Sequence, residues 1–147
     1  MEKVEGLRQY FGFSSFREGQ QTLIDAVLAG RDVLGVMPTG GGKSLCYELP
    51  ALLLPGLPLV ISPLISLMKD QVMALQNAGI PAGCIHSAMS VEELREAYRD
   101  TRFGAYKILY ISPERLLTDG FCALAQELEI SLLAVDEAHC ISQWGQD

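Results

Sequence analysis

Short apolar runs alternate along the chain with longer segments in which apolar residues recur every three or four positions. The apolar runs predict β-strands at residues 32–37, 57–62, 82–86, 107–112 and 131–136. The longer segments predict helices at residues 2–11, 18–28, 43–54, 64–78, 90–102, 113–117 and 121–128, the last two split at Gly120. Since the strands are apolar on both faces, we expect an α/β fold with a mainly parallel sheet, helices on both sides and ligands at the carboxyl ends of the strands.

Local signals mark several helix ends. Gly12, Gly30 and Gly79 follow predicted helices, and Ser90 with Glu93 forms a capping-box pattern that opens another helix. Residues 49–68 carry no charge and have the length of a membrane span, but four prolines interrupt them. We therefore expect this run to divide into a helix end, a turn and a buried strand. The charged N-terminus has no apolar segment typical of a signal peptide.

The composition indicates one globular domain. Eleven basic and 18 acidic residues in a chain of 147 give a net charge of −7, so contact with nucleic acid must be local. The four cysteines are widely spaced without a C-x-x-C pair, which predicts reduced thiols rather than a zinc site or a disulfide framework. We expect a cytoplasmic protein with no membrane partner.

The segment 32–44 predicts a strand, a phosphate-binding loop and the start of a helix. Its loop residues are Thr39, Gly40, Gly41, Gly42, Lys43 and Ser44. Backbone N–H groups there can converge on a polyphosphate, with the lysine at the β and γ phosphates and the serine hydroxyl on Mg²⁺. Met37 stands where the usual phosphate-loop pattern has glycine. The alternative is a glycine-rich surface turn.

A second acidic motif follows the last predicted strand. Asp136 and Glu137 would emerge at the sheet edge where the phosphate loop lies, so the two motifs can share one ligand. Asp136 suits Mg²⁺, and Glu137 suits orientation or deprotonation of an attacking water. Taken alone, the pair is also typical of an ordinary helix N-terminus.

The motifs MPTGGGKS at 37–44 and DEAH at 136–139 resemble motifs I and II of superfamily 2 helicases, which also accounts for Met37. The RecQ family of DNA helicases resembles this chain more closely, through FSSFREGQ at 13–20, SLCYELPALL at 44–53, SPLISLMKDQ at 62–71, YISPERL at 110–116 and AVDEAHCISQWGQD at 134–147. The resemblance implies a RecA-like P-loop NTPase fold and an ATP-dependent 3′–5′ DNA helicase of repair and recombination.

The resemblance also implies roles for individual residues. Phe13 and Arg17 would sandwich adenine, and Gln20 would read its edge. Contact with single-stranded DNA would involve Ser62, Lys69, Ser112, Arg115 and Trp144, while His139 would couple nucleotide and DNA. The alternatives are a solvated helix charge for Lys69, an intramolecular ion pair for Arg115 and half-buried packing for Trp144.

The family continues beyond the motifs present here, through a second RecA-like domain, a zinc-binding module and a winged helix. The chain is therefore expected to be an N-terminal part of the first RecA-like domain, bind ATP and Mg²⁺, and lack motor activity by itself. DNA, single-stranded or as a tailed duplex, is the expected partner of the full-length protein. Other interpretations are a small nucleotide kinase or other P-loop NTPase, and a non-catalytic nucleotide-binding stub.

Overall fold

The computed structural model describes residues 3–17, 19–30 and 45–135. The strand predicted at 32–37, the phosphate loop and the DEAH motif lie outside these ranges. The chain divides into two compact units, residues 1–55 and 56–147.

The first unit is helical in its described part. Helix α1 (Lys3–Gly6) continues into a π-helical turn (Leu7–Phe11), and α2 (Gln20–Leu28) and α3 (Leu45–Leu53) follow. The predicted helix 2–11 is thus present, although its second half is wound more widely than an α-helix. It ends, as predicted, at Gly12, which has φ 75°. Leu7, Ile24, Leu45 and Leu49 form the buried core of the unit.

The second unit alternates strands and helices. In chain order it contains β1 (Leu57–Ile61), α4 (Ile65–Asn77), β2 (Ala82–Ile85), α5 (Val91–Arg102), β3 (Ile108–Ile111), α6 (Pro113–Leu116), α7 (Asp119–Ala125) and β4 (Ile130–Val135). The four strands form one sheet in the order β2-β3-β1-β4, and all three described pairings are parallel. The predicted parallel α/β architecture is confirmed.

Burial differs between the centre and the β4 edge of this sheet. Every residue of β1 and β3 is buried, as expected for strands covered on both faces. One face packs against Ala97 of α5 and Phe121 of α7. In β4, by contrast, Leu133 is 57% exposed and Val135 40%. In the described part of the sheet, β4 has a neighbour on only one side.

Side-chain caps decide where two helices begin. The Ser90–Glu93 capping box is present at α5, as predicted. The predicted break at Gly120 is wrong, because Gly120 lies within α7. The break falls instead at Thr118, whose hydroxyl oxygen accepts a hydrogen bond from the Phe121 N–H at 3.3 Å. A hydroxyl cap satisfies a free helix N–H, which the glycine could not do.

The uncharged run 49–68 is divided as predicted. It supplies the end of α3, all of β1 and the start of α4. Within the described ranges, the structure contains no helix that is long and apolar enough to cross a membrane.

Candidate functional site at the carboxyl edge of the sheet

The residues predicted to bind adenine lie just before α2 and at its first position. The Gln20 Oε1 atom accepts a hydrogen bond from the Arg17 N–H at 2.7 Å, and the Gln20 N–H donates to the Arg17 carbonyl at 3.1 Å. Gln20 is 3% exposed, whereas Phe13 is 52% exposed. The glutamine is thus held in place by the segment that it follows, and the ring remains open for stacking.

Three polar residues lie side by side at the carboxyl ends of neighbouring strands in the second unit. Ile61 pairs with Ile111, and Ile111 with Ile85, so the residues that follow them fall in one row. These residues are Ser62, Ser112 and His86, here called the carboxyl-edge row. The Ser62 N–H donates to the Ile111 carbonyl and the Ser112 N–H to the Ile85 carbonyl, each at 3.0 Å.

The two serines of the row were predicted to contact DNA, and the structure buries both completely. The Ser112 hydroxyl accepts from the Arg115 N–H at 3.4 Å and caps α6. The Ser62 hydroxyl has no hydrogen-bond partner among the described residues. Neither hydroxyl is open to a DNA strand in this structure. Ser112 instead positions the helix that carries Arg115.

The two cations predicted to contact DNA are more accessible. Lys69 on α4 is exposed and Arg115 on α6 is partly exposed. Within the described part of the chain, neither side chain has a carboxylate oxygen within 4.0 Å. The ion pair considered for Arg115 is therefore not formed there. Both charges can bind an external anion.

His86 completes the row and was missed by the sequence analysis. Its imidazole Nδ1 accepts a hydrogen bond from the Ala88 N–H at 3.2 Å. Burial, followed by the nearby positive charge of Lys69, lowers the pKa of His86 below its ordinary 6.5, whereas Glu93 acts in the opposite direction. The imidazole is therefore neutral at physiological pH. The signal available in the sequence was that His86 directly follows an apolar strand, as Ser62 and Ser112 do.

A family model described as DEAD/DEAH box helicase matches residues 17–147. The chain belongs to the DEAD/DEAH box helicase family. Two bacterial proteins named ATP-dependent DNA helicase RecQ are similar to it. The one from Bacillus subtilis is 52% identical over 96% of this chain and 24% of the relative. The one from Haemophilus influenzae is 51% identical over 96% of this chain and 23% of the relative.

The predicted resemblance to RecQ helicases is thus confirmed, and the chain spans about a quarter of the length of these relatives. A solved structure titled as a hypothetical ATP-dependent RNA helicase from Sulfolobus tokodaii is also similar. It has a TM-score of 0.76 and 25% sequence identity, and the match covers 97% of this chain and 43% of that one. The predicted RecA-like α/β fold agrees with this likeness.

The motif residues of this helicase family remain predictions in this chain. Those outside the described ranges are Thr39, Gly40, Gly41, Gly42, Lys43, Ser44, Asp136, Glu137, His139 and Trp144. In the described ranges, no three His, Cys, Asp or Glu side chains cluster as metal ligands. Burial raises the pKa of the Cys46 and Cys84 thiols, and Cys84 and Cys122 form no disulfide in the described part of the chain.

Proposed function

We propose that this chain is part of the first RecA-like domain of an ATP-dependent DNA helicase of the RecQ type, which moves 3′ to 5′ and acts in DNA repair and recombination. The observation that carries the proposal is the helicase-family match over residues 17–147, which includes both MPTGGGKS and DEAH. The names of the RecQ relatives support DNA as the substrate.

The glycine loop is proposed to bind the phosphates of ATP. Its consecutive N–H groups and the Lys43 ammonium would hold the β and γ phosphates, and Glu137 would orient the attacking water. The Ser44 hydroxyl and the Asp136 carboxylate are oxygen donors of the type that Mg²⁺ prefers. A Mg²⁺ ion held by these two oxygen donors would supply positive charge that offsets the charge of the phosphates. Adenine would stack on Phe13 and Arg17.

The DNA contact is proposed to lie at the carboxyl edge of the sheet. Lys69 and Arg115 would bind backbone phosphates directly, while Ser62 and Ser112 would hold the backbone that positions them. Trp144 would stack on a base. Since the net charge is −7, these local cations must supply the attraction that the whole chain does not.

The nucleotide part of the proposal is tested by titrating a fluorescent ATP analogue into the wild-type chain and Lys43→Ala in the presence of Mg²⁺. Loss of the ammonium should weaken binding by at least about tenfold, since hydrogen bonds to charged groups contribute roughly 1.5–3 kcal/mol. Arg95→Ala, which removes an exposed cation from α5, is the charge-matched control and should bind as the wild type does. Equal affinity for Lys43→Ala and Arg95→Ala would reject the loop as a phosphate site.

A further inference from the structure

We propose that the free edge of strand β2, with the cleft beside it, binds an extended and positively charged peptide segment of a partner protein. The segment would add to the sheet as one more strand next to β2. This surface involves none of the residues proposed to contact nucleotide or DNA, so its partner is independent of the proposed function.

Strand β2 forms one edge of the sheet in the described part of the chain, because it pairs there only with β3. The Ile85 carbonyl accepts a hydrogen bond from the Ser112 N–H at 3.0 Å, so the backbone of residue 85 faces β3. Successive residues of a strand direct their backbone groups to opposite sides. The N–H and C=O groups of Ala82 and Cys84 therefore point towards the free edge, where another strand can pair with them.

The backbone groups at this edge differ in their availability. Ala82 is 1% exposed, and its carbonyl accepts a hydrogen bond from the Gln76 side-chain amide at 2.9 Å, much as it would from the N–H of a neighbouring strand. Cys84 is partly exposed, and its backbone groups have no partner at the free edge among the described residues. An added strand would thus form its first two backbone hydrogen bonds with the N–H and C=O of Cys84.

A cleft of about 270 Å³ lies beside this edge, between α4 and α5. Gly83 and Cys84 of β2 line it, together with Val72 of α4 and Ala97 of α5. Sites for drug-sized molecules usually have roughly 300–1,000 Å³. The cleft is smaller and adjoins an unpaired strand, so one or two side chains of a longer peptide fit it better than a separate cofactor does.

Three carboxylates of α5 line the cleft, whereas no lysine or arginine among the described residues does. Two of them are held by hydrogen bonds from the protein. The Glu93 carboxylate accepts from the Ser90 N–H at 2.9 Å, and the Asp100 carboxylate accepts from the Tyr106 hydroxyl at 3.4 Å. The third belongs to Glu96, whose side chain is 71% exposed. Negative charge is therefore in place at the cleft before a ligand arrives.

The charge at the cleft decides which partner fits. Arg99 lies 3.8 Å from Glu96 and 3.7 Å from Asp100, and Lys69 acts on the Cys84 thiol from α4. Three carboxylates thus face two cations, and exposed ion pairs of this length contribute little. A second copy of this chain would bring the same carboxylates and a further net charge of −7. A segment rich in lysine or arginine is attracted instead.

The charge of the cleft is tested with the 147-residue chain and a fluorescent hexapeptide in which valine and lysine alternate. Binding is followed by anisotropy at low salt. Glu96→Lys should weaken binding by at least about fivefold, since it replaces an attraction with a repulsion. Glu129→Lys makes the same change at an exposed position before β4, at the other side of the described sheet, and should bind within about twofold of the wild type. Equal affinity of the two variants would overturn the cleft as the binding site.

Pairing with the edge is tested by modifying the peptide, so that no variant of the chain has to fold. One version carries N-methyl groups on the valine amides and another on the lysine amides. Only alternate residues of an added strand direct their N–H to β2, so one version should lose at least about tenfold in affinity and the other should stay within about threefold of the unmodified peptide. In the wild-type chain the peptide should also slow hydrogen exchange of the Cys84 N–H, as measured by NMR. Unchanged exchange at Cys84 would overturn pairing with this edge.

The remaining outcomes decide the kind of partner. Sedimentation equilibrium should show a monomer, and a dimer that the lysine peptide dissociates would mean that a second copy occupies the edge, which overturns the choice of partner. Equal binding of a hexapeptide with glutamate in place of lysine would overturn the role of the carboxylates. If the wild-type chain binds no lysine peptide at low salt, the docking site is rejected, while the proposed nucleotide and DNA contacts are unaffected.

Discussion

The amide of Gln20 holds the segment before α2, and we propose that it also contacts adenine. Its oxygen already accepts the Arg17 N–H, which ties α2 to the segment that carries Phe13. The resemblance to RecQ helicases implies that the amide would also read adenine, and an amide carries both a donor and an acceptor. Because Gln20 is nearly buried, its orientation is set by the protein before a nucleotide arrives.

The proposed contact with adenine can be tested with Gln20→Glu and Gln20→Ala. The glutamate keeps an acceptor for the Arg17 N–H but cannot donate to adenine, so both variants should lose part of the preference for ATP over GTP. The preference is measured by competition of each nucleotide with a fluorescent ATP analogue. Gln21→Glu makes the same change at the exposed neighbouring position and should leave the ratio unchanged. Identical ratios for Gln20→Glu and Gln21→Glu would refute adenine reading by Gln20.

At the scale of the elements, strand β2 packs closely against Tyr106 at Gly83, where a side chain would clash with the ring. A Cβ atom on Gly83 would lie 2.5–2.7 Å from three ring carbons of Tyr106, the residue that leads towards β3. The ring is packed against the core of the second unit, and its hydroxyl donates to Asp100 Oδ2 at 3.4 Å. This packing and the hydrogen bond oppose a shift of the ring.

Gly83→Ala should lower the free energy of unfolding by about 1–3 kcal/mol, the usual effect of overpacking. Gly120→Ala is the matched control. Its Cβ would meet only Tyr98, at 3.7 Å, and alanine is better than glycine in a helix by roughly 0.5–1 kcal/mol, so this variant should be slightly more stable than the wild type. Urea unfolding monitored by circular dichroism measures both. A Gly83→Ala protein as stable as the wild type would show that the Tyr106 ring is free to shift.

At the scale of the whole molecule, the proposed function predicts that this chain binds nucleotide but does not move along DNA by itself. Under the proposed function, ATP would be hydrolysed between two RecA-like domains, and residues 1–147 would supply part of one. Cationic fingers from a facing domain contribute roughly 10³- to 10⁵-fold in related phosphoryl-transfer enzymes. The motif residues of this chain should therefore bind nucleotide much better than they turn it over.

We accordingly expect the purified 147-residue chain to show neither DNA-stimulated ATP hydrolysis at a motor's rate nor unwinding of a 3′-tailed duplex. Both are measured directly, with Glu137→Gln as the control for contaminating ATPases. Stimulated turnover of about 10 s⁻¹, a typical enzyme rate, that disappears in Glu137→Gln would contradict the expectation.

The sequence by itself was enough to predict the features that depend on near neighbours in the chain. The helix end at Gly12 and the capping box at Ser90 involve residues at most a few positions apart, so the local sequence is enough to predict them. The parallel sheet was also predictable, because β1 and β3 are apolar on both faces. The family was evident from motifs that are themselves contiguous.

Only the tertiary structure decided what strand pairing brings together. Ser62, His86 and Ser112 are far apart in sequence, and the register of three strands makes them one row. The same packing buries both serine hydroxyls, which the motifs could not indicate, and leaves Leu133 of β4 exposed although its strand looks like a buried one. Register and burial depend on partners tens of residues away, whereas a local pattern reports only what each segment can form.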